Sequence, residues 1–200
     1  MQRELAAERR PLPVGSTDGR ETGWWGMMTL IATEASLFAY LLFGYYYFAA
    51  QFGRSWLPEK LPEFRLSLPN TLILILSSVA IWWAERAMKR GRSGQSALAT
   101  GIAIILGAAF TGIQLLEWSK KDFSLATNSY GSFYFITTGF HMAHVLAGLL
   151  LLAGAGLWTL MGWFDQRRHA PLSIAAVYWH FVDAVWLTVF FTYYVSPRLL

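Results

Sequence analysis

Two hundred residues are the size of one ordinary water-soluble domain, but 55% hydrophobic and 16% aromatic types beside 14% charged describe a chain for another solvent; globular proteins carry roughly 25% charged residues. So short a chain has no single water-facing core able to bury that much apolar surface, which excludes a soluble enzyme and makes the lipid bilayer the expected solvent. The absence of cysteine excludes disulfides, thiolate metal sites, iron–sulfur clusters and cysteine nucleophiles, and a net charge of +4 marks no nucleic-acid partner.

Residues 1–22 hold Arg3, Arg9, Arg10 and Arg20 beside four acids, two prolines and two glycines, and read as a polar N-terminal tail. The remainder, 23–200, reads as one transmembrane domain. A helix needs about 20 apolar residues to cross the hydrocarbon layer. Five stretches qualify, at about 24–50, 68–88, 96–118, 130–161 and 173–195, so the expected fold class is all-α, a polytopic membrane protein with five transmembrane helices. The first span is too long for a signal-peptide core and lacks a suitably placed small-residue cleavage site, so it is expected to remain as an anchor. Gln51 to Ser67 carries Pro58 and Pro62 among charges and aromatics and reads as an interfacial loop. Ser67 with Pro69 is expected to open the second span, and Pro171 with Ser173 the last, because proline is tolerated in a first helical turn. Residues 89–94 form a basic, glycine-containing break.

Lysine and arginine counts set the orientation. Ten fall in the tail, between Arg86 and Arg92, and at Arg167 and Arg168; six fall at Arg54, Lys60, Arg65, Lys120, Lys121 and Arg198. The positive-inside rule then predicts the N-terminus inside and the C-terminus outside.

Ionisable groups within a span cost about 2.5–3.5 kcal/mol each on insertion scales, so each needs a reason. Glu34 lies near mid-bilayer and reads either as a proton-active carboxyl or as a neutral acid tying two helices. His141 and His144 sit three apart on the fourth span, and His180 and Asp183 repeat that spacing on the fifth. Each pair offers only two ligands and the Glu-x-x-His order of bundle metal sites is absent, so no metal site is expected. Interhelical hydrogen bonds are the simpler use, with Asp183 accepting from a histidine or tryptophan of another span. Gln114 and Glu117 lie near the end of the third span, where Glu117 is expected to snorkel to the headgroups. The aromatic clusters Trp24-Trp25, Tyr45-Tyr46-Tyr47 and Tyr193-Tyr194 read as interfacial belt anchors. Small residues (Gly101, Gly107, Gly112, Gly139, Ala143, Ala147, Gly148, Gly154 and Gly156) would let helix backbones approach. No phosphate-cradling loop or nucleophile elbow occurs, so no catalytic residue is assigned.

Taken together, the polar blocks resemble subunit III of the haem–copper cytochrome c and quinol oxidases. Ala32-Thr33-Glu34 with Leu37-Phe38 is similar to its glutamate-bearing span, and Leu68 to Thr71 with Ser77-Ser78 to the next, here with Pro69 before Asn70. Gln114 to Trp118 makes a third block, and Tyr130-Gly131-Ser132 running to Thr138-Gly139-Phe140-His141 and His144-Val145 a fourth. Tyr178 to Asp183 with Val185-Trp186-Leu187 makes the fifth. Larger relatives have seven spans, and this chain resembles the five-span form lacking the first two, so the lipid sites of the larger form do not carry over. Where some relatives have a histidine pair this chain has Ala84-Glu85-Arg86, and Met142 stands where many have glycine.

The resemblance implies a subunit with no cofactor of its own, the haem and copper lying in the partner subunits I and II. It implies a bacterial inner-membrane, multi-pass protein that stabilises the catalytic subunit, binds membrane phospholipids and supports proton uptake. Glu34 would match the family's carbodiimide-sensitive buried carboxyl. Asn70, Gln114, Glu117, His141, His144, His180 and Asp183 would serve as interhelical polar anchors. The five-span form also admits an accessory protein of nitric oxide reductase. The residues alone further admit a small proton or metal transporter, if Glu34, the histidines and Asp183 converge on one wet path.

Overall fold

The structure, a computed structural model, describes residues 22–58, 61–62, 64–164 and 169–199. The expected tail, except its last residue, and the Lys60, Arg167 and Arg168 of the charge count lie outside the described residues. Five long helices follow one another: α1 (Thr22–Phe52), α2 (Phe64–Lys89), α3 (Ser93–Ser119), α4 (Ser129–Leu160) and α5 (Ala170–Phe190). A 3₁₀ turn, Gly53–Trp56, ends α1, while α5 runs on through one π turn, Phe191–Val195, into a 3₁₀ turn at Ser196–Arg198. All five are long and apolar enough to span a bilayer, which makes the chain a multi-pass all-α membrane protein.

Helix ends show where sequence signals acted. Pro171 stands in the first turn of α5, where its missing N–H costs nothing. Pro69 does not open α2: that helix starts at Phe64 and Pro69 lies inside it. Tertiary contacts add the extra turn, because the Phe64 ring packs on Phe190 at 6.0 Å and lies under the Arg198 guanidinium at 4.2 Å. The expected 51–67 loop shrinks accordingly. Between α2 and α3, Gly91 adopts φ 74°, a left-handed turn that lets the Arg92 N–H reach the Ala87 carbonyl at 2.9 Å. The expected glycine-containing break is thus a tight turn. At the other side, Asn128 caps α4 by accepting from the Gly131 N–H at 2.8 Å.

Helices α2, α3, α4 and α5 close a four-helix ring, each packed on the next, with α2 against α5 completing it. Helix α1 leans from outside into the groove of α4 and α5. The ring is pinned by Trp179 of α5. A methyl group at Gly107 of α3 would come within 2.7 Å of its indole, and one at Gly148 of α4 within 2.8 Å, so both glycines are seats for that ring. Its Nε1 donates to Ser77 Oγ of α2 at 2.9 Å, so a single side chain ties four helices. Gly156 approaches Thr100 closely, whereas Gly101, Gly112, Gly139 and Gly154 meet open space. The small residues therefore divide into packing seats and outward positions.

Candidate functional site

Glu34 stands twelve residues into α1, about 18 Å from the helix start and 27 Å from its end at 1.5 Å per residue. It is half-buried, and its Oε2 lies 3.0 Å from His144 Nε2 of α4. The other imidazole nitrogen, Nδ1, is 2.7 Å from the Phe140 carbonyl four residues back. A carbonyl only accepts, so Nδ1 carries a proton and donates, which leaves Nε2 to face the carboxyl. One proton then lies between Nε2 and Oε2. Held on the carboxyl it gives two neutral groups; held on the ring it gives an ion pair of zero net charge. In either state the pair adds no net charge to the hydrocarbon layer. The Phe38 ring meets His144 edge-on at 5.1 Å, closing the pair toward the bundle.

The remaining candidates fall in two other places. His141, one turn before His144, does not join it: its ring is fully buried, tilted against Trp186 at 5.0 Å and edge-on to Phe110 at 6.0 Å. Asn70 donates to the Phe110 carbonyl at 3.2 Å, and Gln114 is buried one turn further along α3, beside Tyr134. Glu117 departs from its expected snorkelling. It is 4% exposed, and its Oε1 accepts from Tyr194 OH at 2.6 Å and from Lys121 Nζ at 2.8 Å, partners that hold it inside. His180 and Asp183 face α2 instead, where His180 Nδ1 lies 3.3 Å from Ser78 Oγ. Asp183 sits beside that same serine. The indoles that flank Asp183 on its own helix bond elsewhere on α2, Trp179 donating to Ser77 and Trp186 to Thr71.

Two features escaped the sequence. Tyr193 and Tyr194, expected in an interfacial belt, are fully buried: Tyr193 OH donates to the Phe133 carbonyl at 2.9 Å, and Tyr194 OH reaches Glu117 and Tyr134. The π turn rotates both rings inward. The role of Thr71 and Ser77 as acceptors for the indoles of α5, and of Ser78 as the partner of His180, was also hidden, although their place in a polar block was the signal. Among the described residues no three His, Asp or Glu side chains gather as a metal would require.

The family model described as cytochrome c oxidase subunit III matches residues 17–197. The chain belongs to the cytochrome c oxidase subunit III family. Relatives agree: the cytochrome c oxidase subunit 3 of Petromyzon marinus is 33% identical over 177 residues, covering 85% of this chain and 68% of that protein. Those of Myxine glutinosa and Arabidopsis thaliana are 35% and 33% identical over the same length, covering 85% of this chain and 68% and 67% of themselves. Members of the subunit III family are membrane-embedded, non-catalytic components of haem–copper oxidases in respiratory electron transport, and this chain has that accessory role.

Proposed function

We propose that this chain is the subunit III of a bacterial haem–copper terminal oxidase, that it braces subunits I and II, and that its Glu34–His144 pair supports proton uptake by the complex. The observation that carries the reading is the 3.0 Å contact between a carboxyl and an imidazole at mid-span, with one proton between them and partial exposure at the side. A group that gains or loses a single proton there serves as a local buffer for a neighbouring uptake path. Haem and copper belong to the partner subunits. The outward faces of the spans, with Leu72, Ile105 and Leu150 exposed, suit phospholipid chains. The N-terminus inside and C-terminus outside is the orientation that the basic residues favour. Five apolar helices suit the multi-pass, bacterial inner-membrane placement proposed here.

The oxidase reading is favoured over nitric oxide reductase by the family description itself. A transporter is disfavoured because the ionisable groups do not converge: Glu34 and His144 lie between α1 and α4, His141 in the ring, and His180 with Asp183 against α2. The test is Glu34→Gln in the assembled complex. The amide still donates to Nε2, so assembly yield stays unchanged while proton uptake slows and inactivation during turnover accelerates. Unchanged uptake and unchanged inactivation reduce the pair to a helix tie and overturn the proposal.

A further inference from the structure

A separate set of polar groups lies inside the ring and is not used by the Glu34–His144 pair. Asn70 Oδ1, both ring nitrogens of His141 and Oε2 of Glu117 are buried without a hydrogen-bond partner among the described residues, and the Gln114 amide is buried among them beside Tyr134. They are neighbours by register. The Asn70 bond fixes it at the level of the Phe110 carbonyl, the edge contact of Phe110 fixes His141 at the same level, and Gln114 and Glu117 follow on the same face of α3, one and two turns on. From Phe110 to Glu117 is about 10 Å at 1.5 Å per residue. Glu117 in turn lines an open cleft of about 830 Å³ together with Pro62, Arg65, Lys120, Lys121 and Asn128.

Leaving one buried polar atom unpaired costs about 1–3 kcal/mol, so the four together require partners. The set itself shows which kind. Oδ1, Oε1 and the unprotonated imidazole nitrogen accept; the amide NH₂ and the imidazole N–H donate. A neutral set with both donors and acceptors fits a molecule that does both, and it fits an ion of neither sign. The only formal charge, on Glu117, is already met by Lys121 at 2.8 Å. We infer that the ring holds a water-filled polar well, opening at the cleft beside Glu117 and ending at His141. Waters of this kind make about three hydrogen bonds each, which Asn70 and His141 at one level and Gln114 a turn further on can supply.

The well is closed at its inner end. The Trp186 ring covers His141, and Phe38 packs edge-on against both His141, at 6.5 Å, and His144, at 5.1 Å, so apolar rings line this end of the well.

X-ray radiolysis of the purified oxidase complex in H₂¹⁸O, read by mass spectrometry, tests the well. Phe110, Tyr134 and Trp186 have no solvent exposure and should nonetheless take up ¹⁸O, whereas Ile81 and Leu152, equally buried in the other half of the ring, should not. Label absent from Phe110 and Trp186, including the case where Tyr134 alone is marked, overturns the inference. In the double variant Gln114→Leu, His141→Phe, the label at Phe110 and Trp186 should be lost from the assembled complex, and its persistence would overturn the assignment to these residues. If that variant fails to assemble, the native complex decides on its own, since its labelled and unlabelled positions are compared within one sample.

Discussion

A carboxyl group in hydrocarbon must either keep its proton or share it, and Glu34 stands 3.0 Å from a group it can share with, the His144 imidazole. What makes sharing possible is small: the Phe140 carbonyl fixes the imidazole tautomer, so Nε2 has one direction in which to act. Trp179 shows the same dependence on single atoms. It fits because two facing positions lack a Cβ, at 2.7 Å and 2.8 Å from its ring. Gly148→Ala places a methyl group into the six-membered ring of the indole, and the tryptophan cannot retreat without giving up Ser77. The expected cost is about 1–3 kcal/mol of overpacking, seen as a lower midpoint for thermal release of the subunit from the detergent-solubilised complex. Gly154→Ala, where the added methyl meets open space, should leave that midpoint unchanged. At this scale the sequence pointed to these polar residues but not to their partners. Glu34 and His144 are 110 positions apart, and a periodicity argument reaches no further than its own helix.

Each helix was legible from length and apolarity, while its ends were legible only where a local signal acted alone. The α5 start follows Pro171 as expected, but α2 gains a turn because Phe64 finds Phe190 and Arg198, contacts that no local pattern encodes. Tyr193 and Tyr194 failed for a similar reason. A tyrosine pair at a span end looks the same whether it faces headgroups or, after a π turn, the inside of a bundle. Where a local signal does decide, a local substitution should be felt. Asn128 accepts from the Gly131 N–H and starts α4, so Asn128→Ala is expected to cost about 0.5–2 kcal/mol, measured by denaturant-induced loss of helical circular dichroism. Asn128→Asp keeps the acceptor and should restore most of the loss. Equal destabilisation by both variants would mean that the cap does not set this helix end.

At the scale of the molecule the five spans are unequal, because four close a ring and one is added to its side. Helix α1 buries only Phe38, Leu41, Tyr45 and Ala49, all in its second half, where Tyr45 and Phe48 join the ring cluster of Trp56, Tyr130 and Phe133. Its first half has no fully buried side chain, and its attachments include the close approach of Gly23 to Ile174, the partial packing of Met27, and the Glu34–His144 bond. Local opening follows buried contact, so the backbone of α1 should exchange its amide protons in a gradient, fastest near Thr22 and slowest around Tyr45. In detergent micelles His144→Ala removes the polar tie and should raise exchange over residues 22–37 while leaving 38–52 and the four ring helices as they were. Hydrogen exchange read by mass spectrometry separates these segments. Faster exchange throughout α1 would mean that its two halves open as one unit, and the division between an aromatic anchor and a proton-sharing latch would then be wrong.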